Sequence, residues 1–144
     1  MRRLASRDHG SVSLETAILA PVFIILLLLM VAFGRVIAAN GAVDSAARAA
    51  ARAASLERDA DSAQSSAQAA AERSLSGEGI TCTASSVVVD TSGYAIEQGV
   101  AATVTASLSC TANLSDIGLP GLPGAKKLSA SWQSPIDTYR GRSQ

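Results

Sequence analysis

Ala17-Ile-Leu-Ala-Pro-Val-Phe-Ile-Ile-Leu-Leu-Leu-Leu-Met-Val-Ala-Phe33 is a run of 17 residues without a charge, in a chain of 144 residues. As a helix it would be about 26 Å long at about 1.5 Å per residue, close to the ~30 Å hydrocarbon core of a bilayer. The alternative is a buried core helix, but a helix that is apolar all round needs bulky partners on every side. The rest of the chain is rich in alanine and serine and lacks that bulk. The run therefore predicts a membrane-spanning helix.

The overall composition argues against several classes of function. Twelve Lys and Arg balance twelve Asp and Glu, whereas a nucleic-acid-binding protein usually shows a clustered basic excess. Aromatic residues make up only 3% of the chain, and 28 residues are alanine. His9 is the only histidine, and the spacing of Cys, His and acidic residues does not match a metal site. We therefore expect a protein that is not an enzyme, with no catalytic residue, metal, cofactor or nucleic-acid partner.

An alanine-rich stretch follows the apolar run. Residues 42–75 contain no Pro or Gly, and alanine is the strongest helix former. Asp44 and Arg48 are four residues apart, a spacing that supports a helix. Gly77 and Gly79 then provide a helix end. The pattern predicts one helix over 42–75, with Asn40-Gly41 loosening or kinking the chain where it leaves the membrane.

From residue 80 onward the apolar residues recur at every second position, which indicates half-buried strands. Three such runs occur, at residues 80–89, 100–110 and 128–133. We expect these strands to pair antiparallel and to pack their apolar faces on the alanine-rich helix, with Trp132 as the main aromatic residue of the core. The clearest apolar face is that of the second run: Val104, Ala106, Leu108 and Cys110.

The chain has two cysteines, Cys82 on the first predicted strand and Cys110 on the second. In an antiparallel hairpin centred within the predicted connection, these two residues lie directly opposite each other, close enough for a disulfide. The alternative is two free buried thiols. A disulfide would stabilise a domain with little apolar bulk, and it would indicate an oxidising, extracytoplasmic location.

Arginine counts alone do not orient the predicted membrane helix. Residues 1–10 are polar and contain three arginines, and three more lie within about 20 residues on the other side of the apolar run. The predicted disulfide breaks this tie, because it places the C-terminus outside and the basic leader in the cytoplasm.

The junction before the apolar run, Gly10-Ser-Val-Ser-Leu-Glu15, is the most informative short motif. A carboxylate at the edge of a membrane helix is costly unless it is paired or lies at the headgroup level. A basic leader, a glycine, four residues, a glutamate and then a long apolar helix resemble the junction of a type IV prepilin. The resemblance implies that a prepilin peptidase cuts after Gly10, so that Ser11 becomes the N-terminus. It also implies that Glu15 pairs with the N-terminal amine of a neighbouring subunit in an assembly.

A narrower resemblance covers roughly residues 8–40. Glu15 followed six residues later by Pro21, with Phe-Gly-Arg35 at the end of the run, is similar to the TadE-like family of pseudopilins in tight-adherence (Flp, type IVc) pilus systems. The tail Ser134-Pro-Ile-Asp-Thr-Tyr-Arg140 resembles this family more weakly. Membership implies a minor pilin or pilus-assembly component in a membrane. Its partners would be the prepilin peptidase, other pilin or pseudopilin subunits and the Tad assembly machinery.

Together these observations predict an α+β fold with a long N-terminal helix that spans a membrane in its first half. A small three-stranded antiparallel sheet would pack on the C-terminal part of that helix. The expected segments are a cytoplasmic leader (1–10), a transmembrane and assembly helix (11–39), an alanine-rich extracytoplasmic helix (40–77) and a disulfide-stapled β domain (78–144).

Two other functions fit the same sequence. In the first, the apolar run is a long signal sequence cut near Ala38 or Ala39, and the β domain is a secreted binding module. In the second, the chain is an ordinary single-pass subunit of a membrane complex that is never cleaved. The N-terminus of the mature protein distinguishes these two from the pseudopilin.

Overall fold

A computed structural model describes residues 9–113, 125–139 and 141 of the chain. Most of the predicted leader, residues 1–8, and Arg140 of the tail motif lie outside the described residues. The element order is α1 (His9–Ser55), α2 (Ala60–Gly77), β1 (Cys82–Asp90), a 3-10 helix (Ser92–Ala95), β2 (Ala102–Asn113) and β3 (Ala125–Ile136). This order confirms the predicted α+β class, with a long N-terminal helix and a small antiparallel sheet.

The chain divides into two compact units, residues 1–36 and 37–144. Helix α1 contributes to both, and it continues through Pro21 and through the Asn40-Gly41 pair. The helix is thus unbroken at Asn40-Gly41, where the sequence predicts loosening or a kink. A glycine inside a helix lowers its stability by only about 0.5–1 kcal/mol. The helix-forming residues on both sides outweigh that cost.

The prediction of one helix over 42–75 is also wrong, because the chain turns between Ser55 and Ala60. The amide of Glu57 donates to the carbonyl of Ala54 and closes this turn. Asp59 then caps α2 by accepting a hydrogen bond from the Ser62 amide at 2.8 Å. The turn lets alanines of both helices enter one core. An unbroken helix would have left the second half of the alanine-rich stretch without a partner.

The core of residues 37–141 consists of small side chains around one face of the sheet. The predicted alternation on β2 is confirmed, since its four inward residues are each at most 2% exposed. The other strands and both helices complete the same cluster. Its members include Val43, Ala47, Ala50 and Ala54 of α1, Ala63, Ala67 and Leu75 of α2, and Val89, Leu128 and Ile136 of the sheet.

The three strands form an antiparallel meander in the order β1-β2-β3. The register of the first pair differs from the prediction. Ser85, and not Cys82, lies opposite Cys110, while Cys82 lies opposite Ala112. The whole β1–β2 ladder is displaced from the predicted register, and an irregularity between Cys82 and Ala84 shifts it by one residue, which brings Cys82 closer to Cys110 than an unbroken ladder would. A bulge of this kind adds one unpaired residue to a strand, which sequence alternation alone does not reveal.

Candidate functional site

The apolar run forms a continuous exposed surface on the first part of α1. Every large apolar side chain from Ile18 to Phe33 is 39–74% exposed. Among the described residues, the stretch Glu15–Ser55 is the one helix long and apolar enough to cross a membrane. Water does not stabilise such a surface, so it needs lipid or other apolar helices around it.

Two charged residues flank this apolar surface. Glu15 and Arg35 both belong to α1 and are both exposed. The two positions are 20 residues apart along the helix, which corresponds to about 30 Å, the thickness of a bilayer core. A charged group near either end reaches the headgroup region at little cost, whereas the same group at the centre is expensive. The spacing therefore suits a helix that crosses one membrane.

The residues of the predicted cleavage site lie in the first turns of the same helix. Gly10 and Ser11 follow His9, where α1 begins. Pro21 is exposed and helical. A proline inside a helix removes one backbone hydrogen bond, a loss that membrane helices tolerate when local adjustments restore partners. The structure thus places Gly10, Ser11, Glu15 and Pro21 on one element.

The sulfur atoms of Cys82 and Cys110 form a disulfide between β1 and β2, with Cα atoms 5.5 Å apart. Because of the shifted register, the two residues are diagonal neighbours and not a directly opposed pair. Cys110 lies in the core at 1% exposure, and Cys82 packs against it from the margin. The bond links the neighbouring strands β1 and β2 near one end of their ladder.

Trp132 does not have the predicted position in the core. It is partly buried at the margin, where its indole Nε1 donates to Asp44 Oδ1 at 3.0 Å. The Arg48 guanidinium lies 4.1 Å from the centre of the indole ring and donates to Asp44 at 3.2 Å. These three residues brace α1 against β3. The fully buried aromatic residue is Tyr94, at 4% exposure, whose hydroxyl donates to the Ala54 carbonyl.

A second contact that the sequence did not indicate protects the outer edge of β1. The Gln64 side chain of α2 donates from Nε2 to the Val87 carbonyl at 2.8 Å and accepts from the Val89 amide at 3.0 Å. One amide side chain therefore satisfies both backbone groups that β1 directs away from β2 at this point. A glutamine in an alanine-rich helix carries no sequence signal for such a contact.

Two carboxylates that accept backbone hydrogen bonds have a lowered pKa. A hydrogen bond from the Ser62 backbone lowers the pKa of Asp59 below its ordinary value, and the Ser62 side chain adds to this effect. Hydrogen bonds from the Ser92 backbone and side chain lower the pKa of Asp90 in the same way. Both residues stabilise local backbone turns.

The outer face of the sheet is polar and shallow. It forms an open groove of about 490 Å³ lined mainly by serine, including Ser86, Ser107, Ser109 and Ser131. Within residues 9–113, 125–139 and 141, the acidic, His and Cys side chains form no group suited to hold a metal ion. The arrangement supports hydrogen bonding and packing, and the apolar helix remains the most distinctive surface of the molecule.

Residues 10–52 match the model of a protein family described as TadE-like protein. The matched segment begins at the predicted cleavage glycine and includes Glu15, Pro21 and the whole apolar surface. Over this segment the chain is similar to the TadE-like family, which is associated with Tad pilus systems. The chain has no significant match among curated proteins or solved structures.

Proposed function

Because residues 10–52 match the TadE-like family model, we propose that the chain is a structural minor pilin, or pseudopilin, of a Tad pilus system. A prepilin peptidase removes residues 1–10, and the mature protein begins at Ser11. It then acts in pilus assembly, adhesion or secretion. The observation that carries this proposal is the exposed apolar helix beginning directly after Glu15, inside the segment that the family model matches.

Cleavage gives Glu15 a role in assembly. A new amine at Ser11 carries a positive charge, and Glu15 carries a negative one only four residues away along the chain. In an assembly of apolar helices, the Glu15 carboxylate of one subunit pairs with the Ser11 amine of the next. Pairing offsets the cost of holding both charges in a medium of low dielectric constant. The same pair fixes the axial position of each subunit against its neighbour.

The proposed topology places the N-terminus in the cytoplasm and residues 37–144 outside. The disulfide supports this orientation, because such bonds persist in oxidising, extracytoplasmic compartments. The protein is then a single-pass membrane protein before assembly. Its partners are the membrane, the peptidase, other pilin-like subunits and the Tad assembly machinery.

The first experiment is the intact mass and N-terminal sequence of the membrane-bound protein from its native host. A start at Ser11 is expected. A start near Ala39 or Asn40 in the culture medium would instead indicate the secreted binding module. An intact N-terminus in the membrane would indicate the uncleaved single-pass subunit, and either result would overturn the proposal.

The second experiment tests the assembly role of the glutamate. Glu15→Ala should abolish or strongly reduce pilus assembly while leaving the protein in the membrane. Thr16→Ala is a matched control at the next position and should assemble normally. Normal piliation with Glu15→Ala would exclude charge pairing as the basis of assembly. Mass measurement of both variants shows whether a defect arises in processing or in assembly.

A further inference from the structure

The two edges of the sheet are not equally protected. The edge of β1 is closed in part by Gln64, which bonds the outward carbonyl of Val87 and the outward amide of Val89. The opposite edge is formed by β3, and the sheet contains no described strand beyond it. An unpaired edge presents a row of donors and acceptors that another strand can pair with.

The backbone groups at this open edge can be identified from the register. Val87 and Val89 direct their backbone groups away from β2, so Val88 directs its groups toward β2. Antiparallel neighbours alternate in this respect along each strand. Val88 is paired with Ser107, so the backbone groups of Ser107 point toward β1 and those of Ala106 point toward β3. Ala106 is paired with Trp132, so the even-numbered residues of β3 direct their backbone groups toward β2. The odd-numbered residues, from Lys127 to Pro135, therefore direct their backbone groups outward.

Four of these outward residues form a compact pairing segment: Lys127, Ser129, Ser131 and Gln133. All four side chains are exposed on the outer face of the sheet, and the two central ones are small. Pro135 comes next and has no amide hydrogen, so it ends the segment. The segment thus presents four backbone N–H donors and four carbonyl acceptors, eight groups in all, to a neighbouring strand.

We propose that this edge pairs with the same edge of a second copy of the chain, in an antiparallel arrangement around a two-fold axis at Ala130. This register pairs Lys127 with Gln133 of the second copy and Ser129 with Ser131, so that all eight groups of each copy are used. It also leaves Pro135 outside the ladder. The product is a continuous six-stranded sheet.

Charge repulsion favours this two-fold antiparallel arrangement over a parallel one. A parallel, in-register pairing would place Lys126 and Lys127 beside the same residues of the second copy, where like charges repel. The two-fold arrangement separates the Lys127 residues by six positions, or about 20 Å. Because a two-fold interface is self-complementary and Gln64 obstructs the other edge, assembly at this surface ends at the dimer.

A cysteine at the axis tests the geometry directly. In the proposed register Ala130 faces Ala130 of the second copy as a non-hydrogen-bonded pair, with Cα atoms about 4.5 Å apart, a distance that a disulfide can span. Both native cysteines are already bonded to each other. Full-length Ala130→Cys in detergent should therefore form a covalent dimer on mild oxidation. Val88→Cys, exposed on β1, is the control and should form no covalent dimer, because β1 lies outside the proposed interface.

A proline variant tests the hydrogen bonds. Ser131→Pro removes an outward amide without disturbing the β2–β3 ladder, and Pro135 shows that β3 accepts proline at an outward position. It should weaken dimerisation of the full-length protein about 10–100-fold in sedimentation measurements, since two interface hydrogen bonds are lost. Ser131→Ala keeps the amide and should dimerise normally.

The outcomes separate this edge from other sources of association. A dimer that Ser131→Pro does not weaken, and that Ala130→Cys does not crosslink, would be held by another surface and would overturn the proposal. A monomer at all concentrations would also overturn it. Both measurements use purified protein and do not depend on cleavage after Gly10 or on piliation, so the proposed function is tested separately.

Discussion

At the residue scale, two aromatic side chains attach helix α1 to the sheet. Tyr94 is buried and donates a hydrogen bond to the carbonyl of Ala54, near the end of α1. Trp132 donates a hydrogen bond to Asp44, ten residues earlier in α1. Two aromatic side chains thus fix the helix at separate points, with alanine packing between them.

Tyr94→Phe should lower the free energy of unfolding by about 0.5–1.5 kcal/mol. The substitution removes one hydrogen bond, but the Ala54 carbonyl keeps its second donor, the Glu57 amide. Thermal unfolding followed by circular dichroism measures the change. Tyr139→Phe is the matched control, since Tyr139 is 91% exposed and its loss should have no effect. Equal stabilities of the two variants would show that the Tyr94 hydroxyl contributes nothing.

At the element scale, Asp59 shows why helix propensity alone does not predict the boundary between α1 and α2. Alanine propensity favours helix over the whole of 42–75, and the sequence contains no Pro or Gly to interrupt it. The boundary comes from tertiary packing, which lets the alanines of α2 join the core, and from capping by a single Asp. Alternation along β2 was easier to interpret, because a half-buried strand repeats its signal over many residues. The bulge near Cys82 changes the register by one residue and gives no comparable signal.

The cap makes stability depend on pH in the acidic range. Hydrogen bonds from Ser62 lower the Asp59 pKa in the folded protein. The resulting stabilisation is complete above the ordinary Asp pKa of about 3.9 and is lost as the pH falls through the lower folded value. Asp59→Asn keeps an acceptor but does not titrate there. The stability advantage of the wild type over Asp59→Asn should therefore shrink between about pH 5 and pH 2. A constant difference would contradict the assignment.

Two glycines should respond in opposite directions to alanine. Gly41 is exposed inside α1, and an added Cβ would meet no atom within 4 Å. Gly41→Ala should raise the free energy of unfolding by about 0.5–1 kcal/mol, because alanine loses less backbone entropy in a helix. Gly93→Ala should lower it, since the new Cβ would lie 2.1 Å from the Thr103 carbonyl oxygen. Urea unfolding of both variants checks the signs, and a loss of stability in Gly41→Ala would contradict the first expectation.

At the scale of the whole molecule, much of the organisation followed from the sequence. The apolar run, the change to two-residue periodicity and the cysteine pairing each depend on patterns that are local or nearly so. The positions of Trp132 and Gln64 depend on which helix face meets which strand, and one sequence does not contain that information. The residues that hold the domain together were therefore harder to predict than its elements.

Removing the disulfide should lower the free energy of unfolding of the domain by about 3 kcal/mol, because the unfolded chain gains freedom over a separation of 28 residues. The double variant Cys82→Ser, Cys110→Ser tests this in thermal unfolding. Ser86→Ala on the exposed face of β1 is the control. Equal stability of the double variant and the wild type would mean that the bond contributes nothing to the folded state.

The disulfide also has a consequence under the proposed topology, in which the β domain lies outside the cell. The connection between β1 and β2, with its short 3-10 helix, lies inside the loop that Cys82 and Cys110 close. A protease that cuts this connection breaks one peptide bond but releases neither piece. The nicked protein would migrate as one band without reductant and as two bands with it. Cleavage in this connection would thus leave the N-terminal piece, which carries the apolar helix, covalently linked to β2 and β3.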